Sequence, residues 1–471
     1  ALRFAVYQLN SAADPDDDTV SIGARALTGD AYLGHVFWDT EIYLLPFYTL
    51  TWPAAARALL MYRFHTLDGA RRKAARLGYR GALYAWESAE TGDEATPEEI
   101  VDPAGRVLKI LCGLEEQHIS ADVAYAVWKY WEATGDDAFM AEAGAEIVLE
   151  TARFWASRAG LEDDGRCHIR RVIGPDEYHE TVDDNAYTNV MAAWNLARGR
   201  DAAAWLAEHH PPVRRRLEAT LGLDPDELAH WRAVEAGLVT GFDAESGLFE
   251  QFQGYFGLED VPSAEFAGRD APADVVLGRE RTQASQVLKQ ADVVALLALL
   301  PERFEARVHA ANFAYYEPRC GHGSSLSRGL HAVVAGRLGD VAMAHAYFHA
   351  TAATDLSETL AASAGGIRIA AQGALWQAAV FGMGGLEIGA DGIAVDPHLP
   401  DAWSRLAFGL RWRGRRLTVE AHREPPRVTL TLTEGAACTV RVGALAIELA
   451  PGEARTVPLD RAGALSPRGA R

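Results

Sequence analysis

Acidic residues crowded beside a Gly-Pro break are the first chemistry this sequence offers. Ile173-Gly174-Pro175-Asp176-Glu177-Tyr178-His179-Glu180 runs almost directly into Asp183-Asp184-Asn185-Ala186-Tyr187-Thr188-Asn189. Gly-Pro cannot continue a helix, so the segment is a loop. Crowding and burial raise the pKa of carboxyl groups. A carboxylic acid kept protonated near neutral pH can donate to a glycosidic oxygen. A solvated acidic loop is the plainer alternative.

Other segments carry complementary chemistry. Gly34-His35-Val36-Phe37-Trp38-Asp39-Thr40-Glu41 sets an indole beside a carboxylate. Such a pair covers the apolar face of a pyranose and accepts its hydroxyl protons. Tyr84-Ala85-Trp86-Glu87-Ser88 repeats the idea. Lys289-Gln290-Ala291-Asp292 places a lone Lys at the start of an apolar run, against the helix dipole, which hints at a ligand. Cys320-Gly321-His322-Gly323-Ser324-Ser325 leads into a helix. Its amides and hydroxyls can form an anion site, without the Gly-Lys-Ser/Thr of a Walker loop. Gly365-Gly366-Ile367-Arg368 joins glycines to a further cation. Singly, each segment also reads as ordinary structure: a capped core Trp, an exposed Lys, a Ser helix cap. Together they supply sugar platforms, an acid and a small-anion site, a set suited to glycosyl transfer to phosphate.

The composition bounds the partners. Across 471 residues, 65 Asp and Glu outnumber 45 Lys and Arg, a net charge of −20. That balance excludes an extended basic face for nucleic acid. No apolar run is long enough for a membrane helix. The first residues show no signal-peptide pattern, and four cysteines without metal-ligand spacing fit a reduced cytoplasm.

Helical periodicity dominates residues 1–385. It predicts helices over 54–77, 121–133 (capped by Ser120), 137–158, 287–300, 328–338, 342–353 and 373–381, with interrupted helices over 201–286. After Leu386 the pattern becomes short alternating strands over 405–410, 417–421, 428–432, 438–442 and 446–449. The expected division is a helical catalytic domain over 1–388, a small β-domain over 389–460 and a flexible tail over 461–471.

The strings GHVFWDTE (34–41), VIGPDEYHETVDDNAYTN (172–189), LKQADV (288–293) and YYEPRCGHGSSLS (315–327) resemble glycoside hydrolase family 65, which includes maltose, trehalose, kojibiose and nigerose phosphorylases. The resemblance implies a mainly α fold, an (α/α)6 barrel followed by a C-terminal β-sandwich. It implies Glu177 as general acid. Trp38, Asp39, Lys289 and Gln290 would grip the transferred glucosyl unit, and His322, Ser324 and Ser325 would hold phosphate. Trp86 and Glu87 are further candidates for the sugar, and Arg368 for the phosphate. The implied reaction inverts an α-glucoside to β-glucose 1-phosphate. It uses inorganic phosphate as co-substrate and no metal or organic cofactor, and a homodimer is the candidate assembly.

Three departures stand out. Family members usually carry an additional N-terminal β-sandwich that this sequence does not contain. Arg368 stands where a His is expected. Ala374 and Asp184 replace an expected Gly and Asn. Two other functions stay open on the sequence. An inverting hydrolase of trehalase type would need a base across the sugar from Glu177, about 6.5–9.5 Å away; Glu317 is the nearest acid by sequence. The other is a carbohydrate-binding remnant without turnover. Acceptor choice is expected in loops 178–184 and 255–285.

Overall fold

The structure is a computed structural model that describes residues 1–101, 105–268, 271–356, 365–389 and 392–459. The tail expected to fray, 461–471, lies outside the described residues.

Six helical segments are buried along most of their length: Thr40–Leu44 with Leu45–Thr51, Ile119–Thr134, Ala186–His209, Asp292–Leu299, Ser327–Arg337, and Ile369–Gln377 with Ala378–Met383. Each packs on the next, and the sixth packs on the first, so they close into a ring. Asp292–Leu299 is buried at every position, which is why it reads as apolar all round. Outside this ring lie helices such as Leu2–Ala12, Pro53–His65, Ala145–Arg158, Ala306–Tyr316 and Val341–Leu356. The result is an (α/α)6 barrel. Among the described residues, no helix is long and apolar enough to cross a membrane.

Several predicted helices have different bounds, for local reasons. The span 54–77 divides into Pro53–His65 and Leu67–Arg76. Thr66 interrupts it by bonding its hydroxyl back to the Tyr62 carbonyl at 2.8 Å. Ser120 does not cap its helix; it lies inside, and its Oγ accepts from the Tyr84 amide at 2.9 Å. The stretch 287–291 is not helical, because Leu288 pairs in parallel with Cys320.

The β-domain is two four-stranded sheets. One orders Leu445–Leu449, Cys438–Val442, Gly392–Val395 and Leu386–Gly389; the other Ala454–Pro458, Arg427–Glu434, Arg415–His422 and Arg405–Trp412. Leu417, Val419 and Ala421 alternate inward opposite Val428, Leu430 and Leu432. The strands Leu386–Gly389, Gly392–Val395 and Ala454–Pro458 went unread in the sequence, the first of them at the end of the expected helical domain. The Arg413 amide donates to the Ala133 carbonyl at 2.8 Å, joining this domain to the C-terminal end of an inner helix.

A buried ion pair positions the entry to the first inner helix. Arg63 donates to Glu41 through Nε at 2.7 Å and Nη2 at 2.8 Å, and to the Phe37 carbonyl at 3.1 Å, with both side chains fully buried. Removing one partner strands a charge in a dry interior. Glu41→Ala is therefore expected to cost about 3–5 kcal/mol, read as a lowered urea midpoint. Glu41→Leu combined with Arg63→Met recovers much of that loss.

Candidate active site

All six inner segments begin on one face of the ring, and the chemically rich loops precede them. Trp38-Asp39 leads into Thr40, Glu177 precedes Ala186, Lys289-Gln290 precedes Asp292, His322–Ser325 precedes Ser327, and Arg368 precedes Ile369. Helix N-termini expose unpaired amides and a positive dipole end. A chain with net charge −20 thus points several positive helix ends at one pocket mouth.

Asp176 ties the loops together. Its own amide donates to Asp292 Oδ1 at 2.7 Å. Its Oδ1 accepts the Lys289 amide at 2.7 Å, and its Oδ2 accepts from His179 Nδ1 at 2.6 Å and Gln251 Nε2 at 3.1 Å. His179 Nε2 donates to the Ser285 carbonyl at 2.8 Å, so this nitrogen carries a proton. Burial opposes the imidazolium, but Asp176 outweighs it and raises the His179 pKa. Burial, with Asp176 adding, pushes the Asp292 carboxyl far up, and it takes a 2.6 Å bond from Asn185 Nδ2.

On this scaffold Lys289 Nζ donates to Glu177 Oε1 at 2.8 Å, both side chains remaining partly exposed. This pair accounts for a Lys at a helix start. Its cation faces a carboxylate, and although burial disfavours the charge, Glu177 raises the Lys289 pKa. Gln290 Nε2 donates to the Pro175 carbonyl at 2.5 Å, leaving its buried Oε1 without a partner among the described residues. Asp39 feels the charge of Glu177 too. Burial foremost, then Glu41 and Glu177, pushes its carboxyl up to about 7.

Trp38 is only 2% exposed, so it braces the wall more than it offers a face. It packs edge-on against His118, at 4.9 Å between centroids, and lies 6.5 Å from Trp86. Glu87 bonds His35 at 2.8 Å, and Glu94 anchors that loop by accepting the Trp86 and Glu87 amides. The structure adds two residues here that the sequence reading missed. Glu116 is fully buried, and burial and Glu177 raise its pKa far above the usual carboxyl range. His118 is held by Asp122 at 2.7 Å. Glu115-Glu116-Gln117-His118 looks like a charged helix start, and only its position before an inner helix marks it.

The loop 320–325 lies against Lys289. The Gly321 amide donates to Leu288 O at 2.8 Å and the Gly323 amide to Lys289 O at 3.0 Å. A Cβ on Gly323 would sit 2.5 Å from the Tyr178 hydroxyl, so a larger residue there displaces that side chain. Ser324 and Ser325 are half-buried, and their amides have no protein acceptor among the described residues. His322 is differently placed from the expectation. Its Nε2 lies 3.0 Å from Tyr347 OH, which donates to Glu317 Oε1 at 2.5 Å; its Nδ1 lies 2.8 Å from Ser327 Oγ. These partners assign Nε2–H as donor and Nδ1 as acceptor. Burial, with His331 and Arg328 adding, drives its pKa well down. A neutral imidazole with both nitrogens engaged holds the loop in shape. Arg328, half-buried one residue into the following helix, is a cation the sequence reading passed over. Arg368 is paired with Asp355 at 3.3 Å, and Arg25 bonds the Gly366 carbonyl at 3.2 Å. Asp184 accepts from His168, Arg170 and Asn189, a buried structural role.

The description "Glycosyl hydrolase family 65 central catalytic domain" matches residues 3–377, and "Glycosyl hydrolase family 65, C-terminal domain" matches 386–444. The chain belongs to glycosyl hydrolase family 65. A family 65 kojibiose phosphorylase of Caldanaerobacter subterraneus subsp. tengcongensis is 44% identical over 431 residues, 90% of this chain and 55% of the relative. A 1,2-alpha-glucosylglycerol phosphorylase of Bacillus selenitireducens is 41% identical, over 92% of this chain and 57% of its own. The solved structure of a kojibiose phosphorylase candidate from the human microbiome has a TM-score of 0.88 at 28% identity, covering 98% of this chain and 65% of that one. The chain spans about half the length of the curated relatives it matches. The family 65 loops sit away from a cavity of about 860 Å³ at the opposite end of the ring, lined by Lys129, Glu302, Arg337 and Glu387 among others.

The Asp39 proton sets a pH signature. The folded chain holds it up to about pH 7, whereas the unfolded carboxyl titrates near 3.8. Between those values the folded state binds the extra proton, so this contribution to stability declines as pH rises. Asp39→Asn removes it. Urea midpoints compared at about pH 4.5 and about pH 7.5 then differ from the parent's by a smaller fall. An unchanged fall rejects the assignment.

Proposed function

We propose that this chain catalyses inverting phosphorolysis of an α-glucosidic disaccharide, releasing β-glucose 1-phosphate and a free sugar. Glu177, which faces the Lys289 ammonium in the free chain, takes up a proton as the sugar binds and gives it to the leaving oxygen while a phosphate oxygen attacks C1 from the opposite face. Asp39, Trp38, Trp86, Glu87, Lys289 and Gln290 surround the transferred glucosyl unit. The loop amides with Ser324 and Ser325 receive the phosphate, with Arg328 and Arg368 as the candidate cations. His322 supports that loop through its ring partners. No organic cofactor or metal enters the step.

The observation that carries this reading is the pairing, through Lys289, of a carboxylic residue with an anion-binding loop. Lys289 donates to Glu177 by its side chain and accepts the Gly323 amide by its carbonyl. The names of the relatives agree, since those of 41% identity or more include kojibiose phosphorylases. Kojibiose is therefore the first substrate to test. An alpha,alpha-trehalose phosphorylase of Thermoanaerobacter brockii is less similar, at 34% identity. Loops 178–184 and 255–285, proposed to choose the acceptor, are joined by Arg279 bonded to Glu180 and by Tyr178 bonded to Asp274.

Hydrolysis has weaker support. It needs an ionised base facing Glu177. Glu317 is occupied by the Tyr347 hydroxyl, and burial and Glu177 push the Glu116 carboxyl toward its neutral form.

Two variants test the roles. Glu177→Gln should lower kcat on kojibiose by about a thousandfold, measured as phosphate-dependent glucose 1-phosphate release, with sugar binding retained by calorimetry. Unchanged turnover rejects Glu177 as the acid. Ser324→Ala with Ser325→Ala should raise the phosphate KM about tenfold and leave the sugar KM nearly unchanged; equal rises in both reject the anion site.

A further inference from the structure

Behind the anion loop, three donors converge that the proposed reaction does not use together. Cys320 Sγ lies 3.5 Å from His322 Nδ1. The His322 and His331 rings are 4.7 Å apart between centroids. One ligand atom from each of Cys320, His322 and His331 falls within 4.8 Å of the others. His331 is 1% exposed, and neither ring nitrogen has a hydrogen-bond partner among the described residues. An unpaired buried N–H is costly, so an imidazole with two idle nitrogens facing a thiol is an unusual core residue.

We propose that Cys320, His322 and His331 form a binding site for a zinc-like, thiophilic divalent cation. Tetrahedral zinc, with bonds of about 2.3 Å to sulfur and 2.0–2.1 Å to nitrogen, separates its donors by about 3.3–3.6 Å. Cys320 and His322 already stand at that spacing, and the His331 nitrogen closes in by a side-chain adjustment. The His322 tautomer suits the role. Its Nε2–H points to Tyr347 and on to Glu317, which leaves the Nδ1 lone pair aimed at the cluster, as in carboxylate-oriented histidine ligands. On binding, Cys320 releases its thiol proton to solvent, and Nδ1 exchanges its bond from Ser327 Oγ for the metal. The thiolate offsets one of the cation's charges and so moderates repulsion from Arg328. The fourth position falls to Ser327 Oγ or a solvent oxygen.

Two His and a Cys spaced two and eleven residues along the chain match no metal motif, which is why the sequence showed nothing here. His322 belongs to the loop proposed to hold phosphate. Cation binding there therefore restrains that loop and slows turnover; this consequence rests on the phosphorolysis reading, whereas the binding does not.

The test is titration of the full chain with Co2+ as a spectroscopic probe. One equivalent is expected to give tetrahedral d–d bands and a thiolate-to-cobalt charge-transfer band, both abolished by Zn2+. Cys320→Ser, folded by circular dichroism, should lose the charge-transfer band and bind about tenfold or more weakly. His331→Gln should weaken binding similarly. Absence of the bands in the parent overturns the site. So does their persistence in Cys320→Ser, or their loss in Cys112→Ser, which would place the metal at Cys112, Glu116 and Glu177. Zn2+ inhibition reversed by chelator and absent in Cys320→Ser extends the proposal to turnover. Inhibition unchanged in that variant overturns the link to the loop.

Discussion

A buried carboxylate, Asp176, organises the mouth of this barrel. It receives hydrogen bonds from the Lys289 amide, from His179 and from Gln251, and its own amide is gripped by Asp292. Those partners come from its own loop, from Gln251 and from the 289–292 stretch more than a hundred residues on. Satisfying a buried charge with several donors fixes distances to tenths of an ångström, because each lost bond leaves a desolvated group behind. Glu177 follows Asp176 directly, and Lys289 makes one of these bonds with its own amide. Their 2.8 Å pairing is thus inherited from a network that touches neither side chain.

The electrostatics of the site follow from the ring. Six inner helical segments start together, so their positive ends reinforce one another where the chemistry-bearing loops gather. Around them Asp39, Glu116 and Asp292 are pushed toward their neutral forms by burial and by the neighbouring Glu41, Glu177 and Asp176. Fewer negative charges then face the mouth than the carboxyl count implies. An overall acidic protein can in this way present a pocket that tolerates an anion.

Much of this was legible in the residues. Gly-Pro and Gly-His-Gly breaks marked loops, and alternation marked strands over 405–410 and 417–421, each short of the observed Arg405–Trp412 and Arg415–His422. The clustered acids, aromatics and glycines named most of the candidate side chains. What stayed hidden depended on long-range contacts. The 287–300 run is apolar enough for one helix, yet Leu288 pairs with Cys320 and delays the helix to Asp292. Glu116 and His118 acquire meaning only from the ring that turns them inward. His322 looks like an anion ligand in sequence. Only the Tyr347–Glu317 and Ser327 contacts, up to 25 residues away for its direct partners, show its nitrogens engaged.

The ring's closing seam has a consequence for biosynthesis. The Leu2–Ala12 helix packs on Ile369–Gln377, Gly29 abuts the backbone of Gly365, and Arg25 bonds Gly366. The Leu2–Ala12 helix therefore waits for a partner made more than three hundred residues later. Until then the first inner helix, with Ile42, Leu44 and Phe47, has an uncovered apolar flank. Nascent chains of this kind are exposed to misassembly for as long as translation lasts. Slow elongation lengthens that interval, and a chaperone able to shield the flank shortens its hazard.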